Sequence, residues 1–425
     1  MRSLRWLSLV VVLNLVLACG SSAPAPAAPA PAAKPAEPAK PAEPAKPASA
    51  PAEKPAAQAT TATAPQPTTA SGGTPAKPTT ASAGAPAKPA GATLGPGPKV
   101  SLALVGQGTP QLRQNTKVAA PYSKEIIPQR SNGRVEVKLS TWAEMNLQGT
   151  EIVRLVRQGQ VDIGDAPLTY LAGDVPILDM IDLPGLNPTI EQSRKVVAAM
   201  TPAINKELER FGVRLGLSYA VPAQVFWCRT PIQSLDDFKG KKIRTFGTSL
   251  PDLVSALGGQ SVSISFPEAY QALERGVADC GITGTGSGNS NRWHEVTTHL
   301  YTLSVGWALA GYIVNTKWWD GLAPDVRQFM EGTFKEMEEE YWKLGAALTQ
   351  DGINCATGKE PCELGVLDKE SPMTEVKPTK ADEERLKKIL DEAVLPGFVK
   401  RCGAQCGSTY NEVLAPITGV RYTAR

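Results

Sequence analysis

The sequence predicts an α/β fold of two lobes, with one long helix that spans both lobes. Aliphatic strand segments alternate with amphipathic helix segments from residue 100 to residue 220, and the same alternation starts again at Gln224. The roughly 330 residues that follow residue 97 are too many for one small core. Residues 325–349 form a charged, helical pattern that is long enough to pack across both lobes.

The N-terminus has the pattern of an export signal. Arg2 and Arg5 precede an apolar stretch at residues 7–17, which is too short to span a membrane. Residues 1–18 are therefore predicted to be a signal peptide. Residues 16–19 (VLAC) resemble the lipidation motif of bacterial lipoproteins, which predicts a lipid on Cys19. A signal peptide without lipidation, followed by a chance cysteine, is the alternative.

The segment at residues 19–97 is predicted to be a disordered tether that begins with the lipidated cysteine. Eighteen of the 37 prolines lie in it, together with runs of alanine, and it has almost no large apolar residue to bury. Proline-rich segments of this composition tend to be extended. We interpret the segment as a spacer between a membrane anchor and a folded domain. A tail without a role is the alternative.

The net charge and the cysteines limit the kind of protein. The formal net charge is +3, so nothing favours nucleic acid as a partner. Of the seven cysteines, six follow the tether, and an even number in an exported chain predicts disulfides. Short spacings favour two local pairs, but the connectivity stays open among Cys228, Cys280, Cys355, Cys362, Cys402 and Cys406. A zinc site is disfavoured because no histidine lies near these cysteines.

The first lobe is assigned to residues 98–223 and 310–345. Its predicted strands are residues 100–106, 134–142, 161–166 and 213–220, and its predicted helices are residues 150–159 and 193–212. Strands that alternate with helices in this order imply a parallel sheet.

The second lobe is assigned to residues 224–309 and 346–425. Its predicted strands are residues 224–230, 241–246, 261–266 and 277–283, and its predicted helices are residues 249–258 and 267–276. A short helical turn is expected at residues 234–240, and a further amphipathic helix follows Thr379. The order again implies a parallel sheet.

Four cations lie in the stretch FKGKKIRTFG at residues 238–247, and one of them is a candidate for ligand binding. Ligands of open parallel sheets bind beyond the carboxyl ends of the strands, and Arg244 is the cation nearest to that end. Its guanidinium can hold a carboxylate through two parallel hydrogen bonds. An ion pair with a neighbouring Asp or Glu is the alternative. Lys239, Lys241 and Lys242 are predicted to be solvated surface.

Little in the sequence supports an enzyme. The two histidines, His294 and His299, have a spacing that differs from HExxH. The glycine-rich stretch GTGSGNSN at residues 284–291 lacks the GK[ST] of a phosphate-binding loop, so we interpret it as a loop that lines a cleft. No GxSxG motif is present. We therefore expect no catalytic residue, no metal and no cofactor.

Four stretches resemble the solute-binding proteins of tripartite ATP-independent periplasmic (TRAP) transporters. In chain order they are residues 149–167, residues 179–186 (DMIDLPGL), residues 234–284 and residues 315–332 (NTKWWDGLAPDVRQFMEG). The resemblance implies a periplasmic-binding-protein-like fold whose two lobes close about a hinge around a small solute. It also implies that the solute passes to a membrane permease driven by an ion gradient.

The resemblance also implies roles for individual residues. Arg244 is expected to grip a carboxylate of the solute. Thr283 lies where relatives that bind sialic acid have an asparagine, and Gln224 lies where the family has a second basic residue, so another organic acid is expected. Aromatic residues near strand ends are candidates for an apolar wall, although each alone is more often part of a core: Trp142, Trp227, Phe246 and Trp307. Asp165 is a candidate for a ligand or cation contact, with a helix N-cap as the preferred interpretation.

These observations together predict an exported receptor for a small organic acid. It is expected to be a lipoprotein on the outer face of the cytoplasmic membrane or in the periplasm, and to work with TRAP permease subunits. A receptor of the same fold that signals to a membrane sensor protein is the alternative.

Overall fold

The computed structural model describes residues 93–424. The predicted signal peptide, Cys19 and the tether up to residue 92 lie outside these residues. The folded part begins earlier than predicted, because Leu94 is buried in the main hydrophobic core. Its amide donates to the carbonyl of Arg130 (2.8 Å), and its carbonyl accepts from Asn132 Nδ2 (2.7 Å). The predicted tether, residues 19–97, therefore extends too far, because its residues from Leu94 onward belong to the folded part.

Eleven strands form two sheets in the described part of the chain. They are β1 (Val100–Gly106), β2 (Val135–Thr141), β3 (Ile163–Pro167), β4 (Val213–Tyr219), β5 (Gln224–Cys228), β6 (Lys242–Thr245), β7 (Gln260–Ser263), β8 (Cys280–Gly284), β9 (His299–Gly306), β10 (Ala310–Asn315) and β11 (Thr374–Val376). The sheet of lobe 1 has the order β2-β1-β3-β10-β4, and the sheet of lobe 2 has the order β11-β9-β5-β8-β6-β7.

Both sheets are mixed, whereas the sequence predicted parallel sheets. β1 pairs in parallel with β2 and β3, and β6 pairs in parallel with β7 and β8. In contrast, β10 runs antiparallel to β3 and β4, and β5 runs antiparallel to β8 and β9. The cause is the connection between the lobes. β5 and β10 are the strands through which the chain enters each lobe from the other, so they run against their neighbours.

The chain crosses between the two sheets in two short segments. Residues 220–223 join β4 to β5, and residues 307–309 join β9 to β10. In the second crossing Ala308 has a left-handed backbone (φ 42°), and the buried Asp182 carboxyl accepts from the N–H groups of Trp307 (3.0 Å) and Leu309 (3.3 Å). Burial raises the pKa of Asp182 to about 7. These hydrogen bonds stabilise a backbone conformation that residues other than glycine rarely adopt.

Helices flank the sheets. The α-helices are α1 (Ile127–Arg130), α2 (Ile152–Arg157), α3 (Ile190–Glu209), α4 (Leu250–Ala256), α5 (Phe266–Glu274), α6 (Thr285–Ser290), α7 (Thr316–Asp320), α8 (Pro324–Ala356), α9 (Lys380–Ile389), α10 (Leu395–Cys402), α11 (Ala404–Thr409) and α12 (Ala415–Thr418). Short 3₁₀ segments are Leu168–Leu171, Pro176–Asp182, Leu235–Phe238 and Trp293–Glu295, and π-helical turns are Asn115–Ala119, Tyr122–Ile126, Leu390–Val394 and Tyr410–Leu414. Within residues 93–424 no helix is long and apolar enough to span a membrane.

The predicted long helix is α8, and it contacts both lobes. It packs against β4 in lobe 1 and against α6 in lobe 2. Its 33 residues extend about 50 Å at the usual helical rise. A Cβ atom at Gly345 would overlap the carbonyl oxygen of Ala220, and one at Gly352 would overlap the backbone of Gly286. These two glycines therefore allow the helix backbone to approach the first crossing and α6 closely.

The C-terminal helices contact both lobes, which corrects the assignment of all of residues 346–425 to lobe 2. α9 packs on β9, and Leu390–Val394 packs on α4, whereas Tyr410–Leu414 and α12 pack on α3 of lobe 1. The amphipathic pattern after Thr379 predicted a helix, but it did not show which surface that helix would cover. The remaining lobe boundaries stay a prediction that is compatible with the two sheets.

The six candidate cysteines form three disulfides. Cys228–Cys280 joins facing residues of β5 and β8. Cys355–Cys362 and Cys402–Cys406 are the two local pairs that the short spacings favoured.

Candidate functional site

A cavity of about 30 Å³ lies between the two sheets. Lobe 1 contributes Gln107, Gly108, Leu112, Trp142, Pro167 and Tyr170, the crossings contribute Val221 and Ala308, and lobe 2 contributes Gln224, Arg244, Phe246, Phe266, Thr283 and Ser287. Most of these residues lie at or just beyond the carboxyl ends of β1, β2, β3, β6 and β8. The site is therefore at the edge of the sheets where ligands of α/β proteins bind.

Arg244 is the one charged side chain among the residues that line this cavity. It is fully buried, with 0% of its surface exposed. Nε donates to the carbonyl of Ile264 (2.9 Å), one terminal nitrogen donates to the carbonyl of Ile282 (2.8 Å), and the other donates to the hydroxyl of Tyr170 (3.0 Å). Tyr170 belongs to lobe 1, so the arginine joins the two lobes.

The positive charge of Arg244 has no carboxylate partner among residues 93–424. None of the ion pairs in this part of the chain includes it, so the sequence-based alternative of a neighbouring Asp or Glu finds no support there. A guanidinium has five N–H donors, and three of them are used. One donor remains on each terminal nitrogen, and two such donors can hold the two oxygens of one carboxylate.

Aromatic rings surround the guanidinium and form the walls of the cavity. The Arg244 guanidinium carbon lies 5.2 Å from the ring centre of Phe246 and 5.9 Å from that of Phe266. Tyr170 stacks on Phe246 and also contacts Trp142, with 5.3 Å between ring centres in both pairs. The cavity is therefore a small space with aromatic walls and one cation among its lining residues.

Asp165 lies behind the lobe 1 wall. It is inside β3 and fully buried, and its carboxyl accepts from the hydroxyl of Tyr219 (2.8 and 2.9 Å). Burial raises the pKa of Asp165 to about 7, although the hydrogen bonds from Tyr219 and from the backbone of Gln107 favour the charged form. The preferred interpretation as a helix N-cap is therefore wrong, because the side chain points to Tyr219 rather than to a helix terminus.

The amide groups of Gln107 and Gln224 line the cavity from opposite lobes. Gln107 Nε2 donates to Tyr219 Oη (2.5 Å), and Gln224 Nε2 donates to the carbonyl of Pro222 (2.7 Å). Gln224 faces Gly284 in the ladder between β5 and β8, next to Thr283. Gln224 and Thr283 line the cavity, together with Trp142, Phe246 and Arg244.

Two predicted wall residues do not line the cavity. Trp227 is on the face of β5 opposite to Gln224 and Phe226, where it packs against Trp293 in a second hydrophobic cluster. Trp307 donates its indole N–H to the carbonyl of Asn187 (2.9 Å), and the next residue, Ala308, lines the cavity instead. Both predictions failed because nearness to a strand end does not decide which face of the strand a side chain occupies.

The glycine-rich stretch at residues 284–291 also differs from its prediction. It forms α6 rather than a loop, although Ser287 within it does line the cavity. His294 is buried in the 3₁₀ turn Trp293–Glu295, where burial lowers its pKa, and His299 begins β9. Lys239 and Lys242 of the FKGKKIRTFG stretch are exposed, as predicted, whereas Lys241 is half-buried and its ammonium donates to Thr230 Oγ1 (2.9 Å).

Several residues of the site were missed in the sequence analysis. Gln107 directly follows β1 and Tyr170 lies three residues after β3, so the strand-end rule that selected Arg244 also applies to them. Phe266 and Ser287 lie in the first turns of helices that follow strands. The positions of these residues just after strands could therefore be recognised in the sequence, but the strand-end rule was applied first to charged residues and tryptophans.

A candidate cluster of metal ligands lies away from this cavity. Asp351, Cys355 and Cys362 are the group of possible ligands in the described residues. Because the two cysteines form a disulfide, their sulfurs are not available as thiolate ligands.

A family model described as "Bacterial extracellular solute-binding protein, family 7" matches residues 106–371. The "C4-dicarboxylate-binding periplasmic protein DctP" of Rhodobacter capsulatus is 29% identical over 222 residues, which are 50% of this chain and 65% of that protein. The aligned region thus spans just under two thirds of that relative. A "2,3-diketo-L-gulonate-binding periplasmic protein" of Escherichia coli is 24% identical over 236 residues, with 54% and 70% of the two chains covered.

Solved structures share the fold at low sequence identity. A TRAP periplasmic solute binding protein from Desulfovibrio salexigens with bound orotic acid has a TM-score of 0.66 at 19% identity, with 75% of this chain and 100% of that chain covered. Another from Sulfurospirillum deleyianum with bound succinate has a TM-score of 0.65 at 18% identity, with 74% and 99% covered. The two-lobed α/β fold that the sequence predicted is confirmed.

Proposed function

Because this chain belongs to family 7 of the bacterial extracellular solute-binding proteins, we propose that it is the solute receptor of a TRAP transporter. It captures a small organic solute with a carboxylate between its two lobes. The observation that carries this proposal is Arg244, a fully buried guanidinium that has no carboxylate partner in residues 93–424 and keeps two donors for a ligand.

The cost of burying a charge explains why Arg244 points to an acidic ligand. A buried ion is stable only when its lost hydration is replaced by hydrogen bonds and an opposite charge. Two backbone carbonyls and the Tyr170 hydroxyl supply hydrogen bonds to Arg244, but none of these three groups carries a full negative charge. The named ligands of several relatives, which include succinate, orotic acid and C4-dicarboxylates, are organic acids and agree with this proposal.

The partner in this proposal is a membrane permease driven by an ion gradient. The receptor hands its solute to the permease subunits and stays near them through the lipid predicted on Cys19. The periplasmic names of the relatives support an extracytoplasmic site of action. Uptake of a labelled solute by vesicles that carry the permease should require this receptor; uptake that continues unchanged without it would contradict the delivery step.

Solute binding is tested with a thermal-shift screen of organic acids, because a ligand of the folded state raises the melting temperature. For an acid found in this way, Arg244→Ala should weaken binding more than tenfold in calorimetry, since truncation of one partner of a buried charge pair costs about 2–5 kcal/mol. Lys242→Ala is the matched control, because Lys242 lies on the same strand but is exposed. Equal affinities of the two variants would show that Arg244 does not hold the carboxylate.

A further inference from the structure

We infer that the site selects solutes with a single carboxylate and a hydrogen-bond donor elsewhere on the molecule, and that it discriminates against dicarboxylates. This inference rests on the proposed function, since it concerns the same cavity. It concerns the chemistry of the solute beyond the carboxylate that Arg244 holds.

The cavity has positive charge for one carboxylate only. Arg244 has one free donor on each terminal nitrogen, which matches the two oxygens of one carboxylate. The other side chains that line the cavity are neutral. A second carboxylate would lose its hydration there without meeting a cation, which is unfavourable.

The amide oxygens of two nearly buried glutamine side chains point to a donor on the solute. Gln107 and Gln224 are 5% and 3% exposed, and neither Oε1 accepts a hydrogen bond from any described residue. A solute that fills the cavity removes water from these oxygens, and an acceptor that is buried without a partner is destabilising. A solute with an amide, amine or hydroxyl group would supply the missing donors, whereas a second carboxylate would bring only acceptors.

The protein fixes the orientation of both amides. Tyr219 donates its only proton to Asp165, so its oxygen can only accept from Gln107, and the nitrogen of that amide must face it. The carbonyl of Pro222 likewise can only accept, so the nitrogen of the Gln224 amide must face this carbonyl. Both carbonyl oxygens are therefore turned away from these partners and are available to the solute.

The inference is tested with two sets of isosteric carboxylates. The open-chain set is succinate, its monoamide succinamate and the ketone levulinate; the aromatic set is isophthalate, its monoamide and the corresponding acetylbenzoate. In at least one set, calorimetry should show the monoamide binding about tenfold more tightly than the diacid, which lacks a cation for its second charge. The monoamide should also bind more tightly than the ketone, which lacks the donor.

The outcomes separate this inference from the proposed function. Binding of a diacid as tight as, or tighter than, that of its monoamide overturns the inference and leaves the carboxylate receptor intact. Failure of all of these acids and of the wider organic-acid screen to bind overturns the proposed function, and the inference with it.

Variants of the two glutamines test the donor directly. Gln107→Met and Gln224→Met keep the side-chain length but remove the amide, so each should reduce the preference for the monoamide over the ketone severalfold. Gln233→Met is the matched control, since this glutamine is exposed and outside the cavity. Melting temperatures confirm that the variants are folded. A preference that is unchanged in both cavity variants overturns the role of the amides.

Discussion

At the scale of single residues, Arg244 and Asp179 are both buried charges, but they differ in how far the sequence revealed them. The strand-end rule selected Arg244 because strand direction alone decides which residue reaches the ligand edge. Asp179 accepts hydrogen bonds across the lobes from Thr248 (2.6 Å) and Ser249 (3.1 Å). These partners lie 69 and 70 residues away in the chain. No local pattern predicts such a contact, so only the folded chain shows it.

The stability of the protein should depend on the protonation of Asp179. Burial raises its pKa to about 6, although Thr248, Arg401 and Ser249 favour its charged form. The folded state therefore keeps a proton that the unfolded chain loses near pH 4. The free energy of unfolding should fall as pH rises from about 4 to about 6 on account of this residue. Asp179→Asn should reduce that fall by on the order of 1 kcal/mol in urea unfolding at several pH values.

A control distinguishes Asp179 from other carboxyls. Asp165 and Asp182 also have a raised pKa, of about 7 each, so part of the fall with pH should remain in the Asp179→Asn protein. Asp174→Asn is the matched control, because Asp174 lies in the same region of the chain but is exposed. If the free energy of unfolding depends on pH in the same way in the parent and in Asp179→Asn, the proposed role of Asp179 is wrong.

At the scale of elements, periodicity predicted the first eight strands and the longer helices but not β9 and β10, which flank the second crossing between the lobes. Turn residues bound each of the segments that form β1 to β8, so the aliphatic run of each could be recognised as a strand. β9 and β10 were missed because they form one apolar stretch from residue 299 to residue 315, interrupted only by the crossing. Strand direction in a sheet depends on which lobe the chain comes from, and that is a property of the whole fold.

The glycines of α8 provide a test of how this helix supports both lobes. Gly345→Ala should lower the free energy of unfolding by about 1–3 kcal/mol, because its Cβ would overlap the Ala220 carbonyl oxygen and the helix would have to shift. Gly332 lies in the same helix with open space around its Cα, so Gly332→Ala should raise stability by about 0.5–1 kcal/mol. Denaturant unfolding measures both, and a stabilising Gly345→Ala would contradict the close approach.

At the scale of the whole molecule, Leu94 and the cavity lie toward opposite ends of β1 and β2. Leu94 packs near the start of the β1 and β2 strands, beside Arg130, and the cavity lies beyond their carboxyl ends. The fold of residues 93–424 followed well from the sequence, whereas the anchor that precedes it remains a prediction.

The lipid anchor is tested by cell fractionation. Cys19→Ser removes the predicted lipidation site, so the protein should move from the membrane fraction to the soluble fraction. Ser22→Ala, three residues further on, is a control that should remain with the membrane. A Cys19→Ser protein that still sediments with membranes would show that the anchor is wrong.

The size of the cavity has a consequence for the kinetics of exchange. Its volume of about 30 Å³ is small beside the roughly 300 Å³ of sites that hold drug-sized molecules, and residues of both lobes bound it. A solute bound as proposed would therefore leave only when the lobes separate, and opening would limit its dissociation rate. Solutes of unequal affinity would then share lobe opening as the limiting step of dissociation. They would differ mainly in how often the lobes close again on the same solute before it diffuses away. The residence time would then depend on the crossings at residues 220–223 and 307–309, of which Val221 and Ala308 also line the cavity.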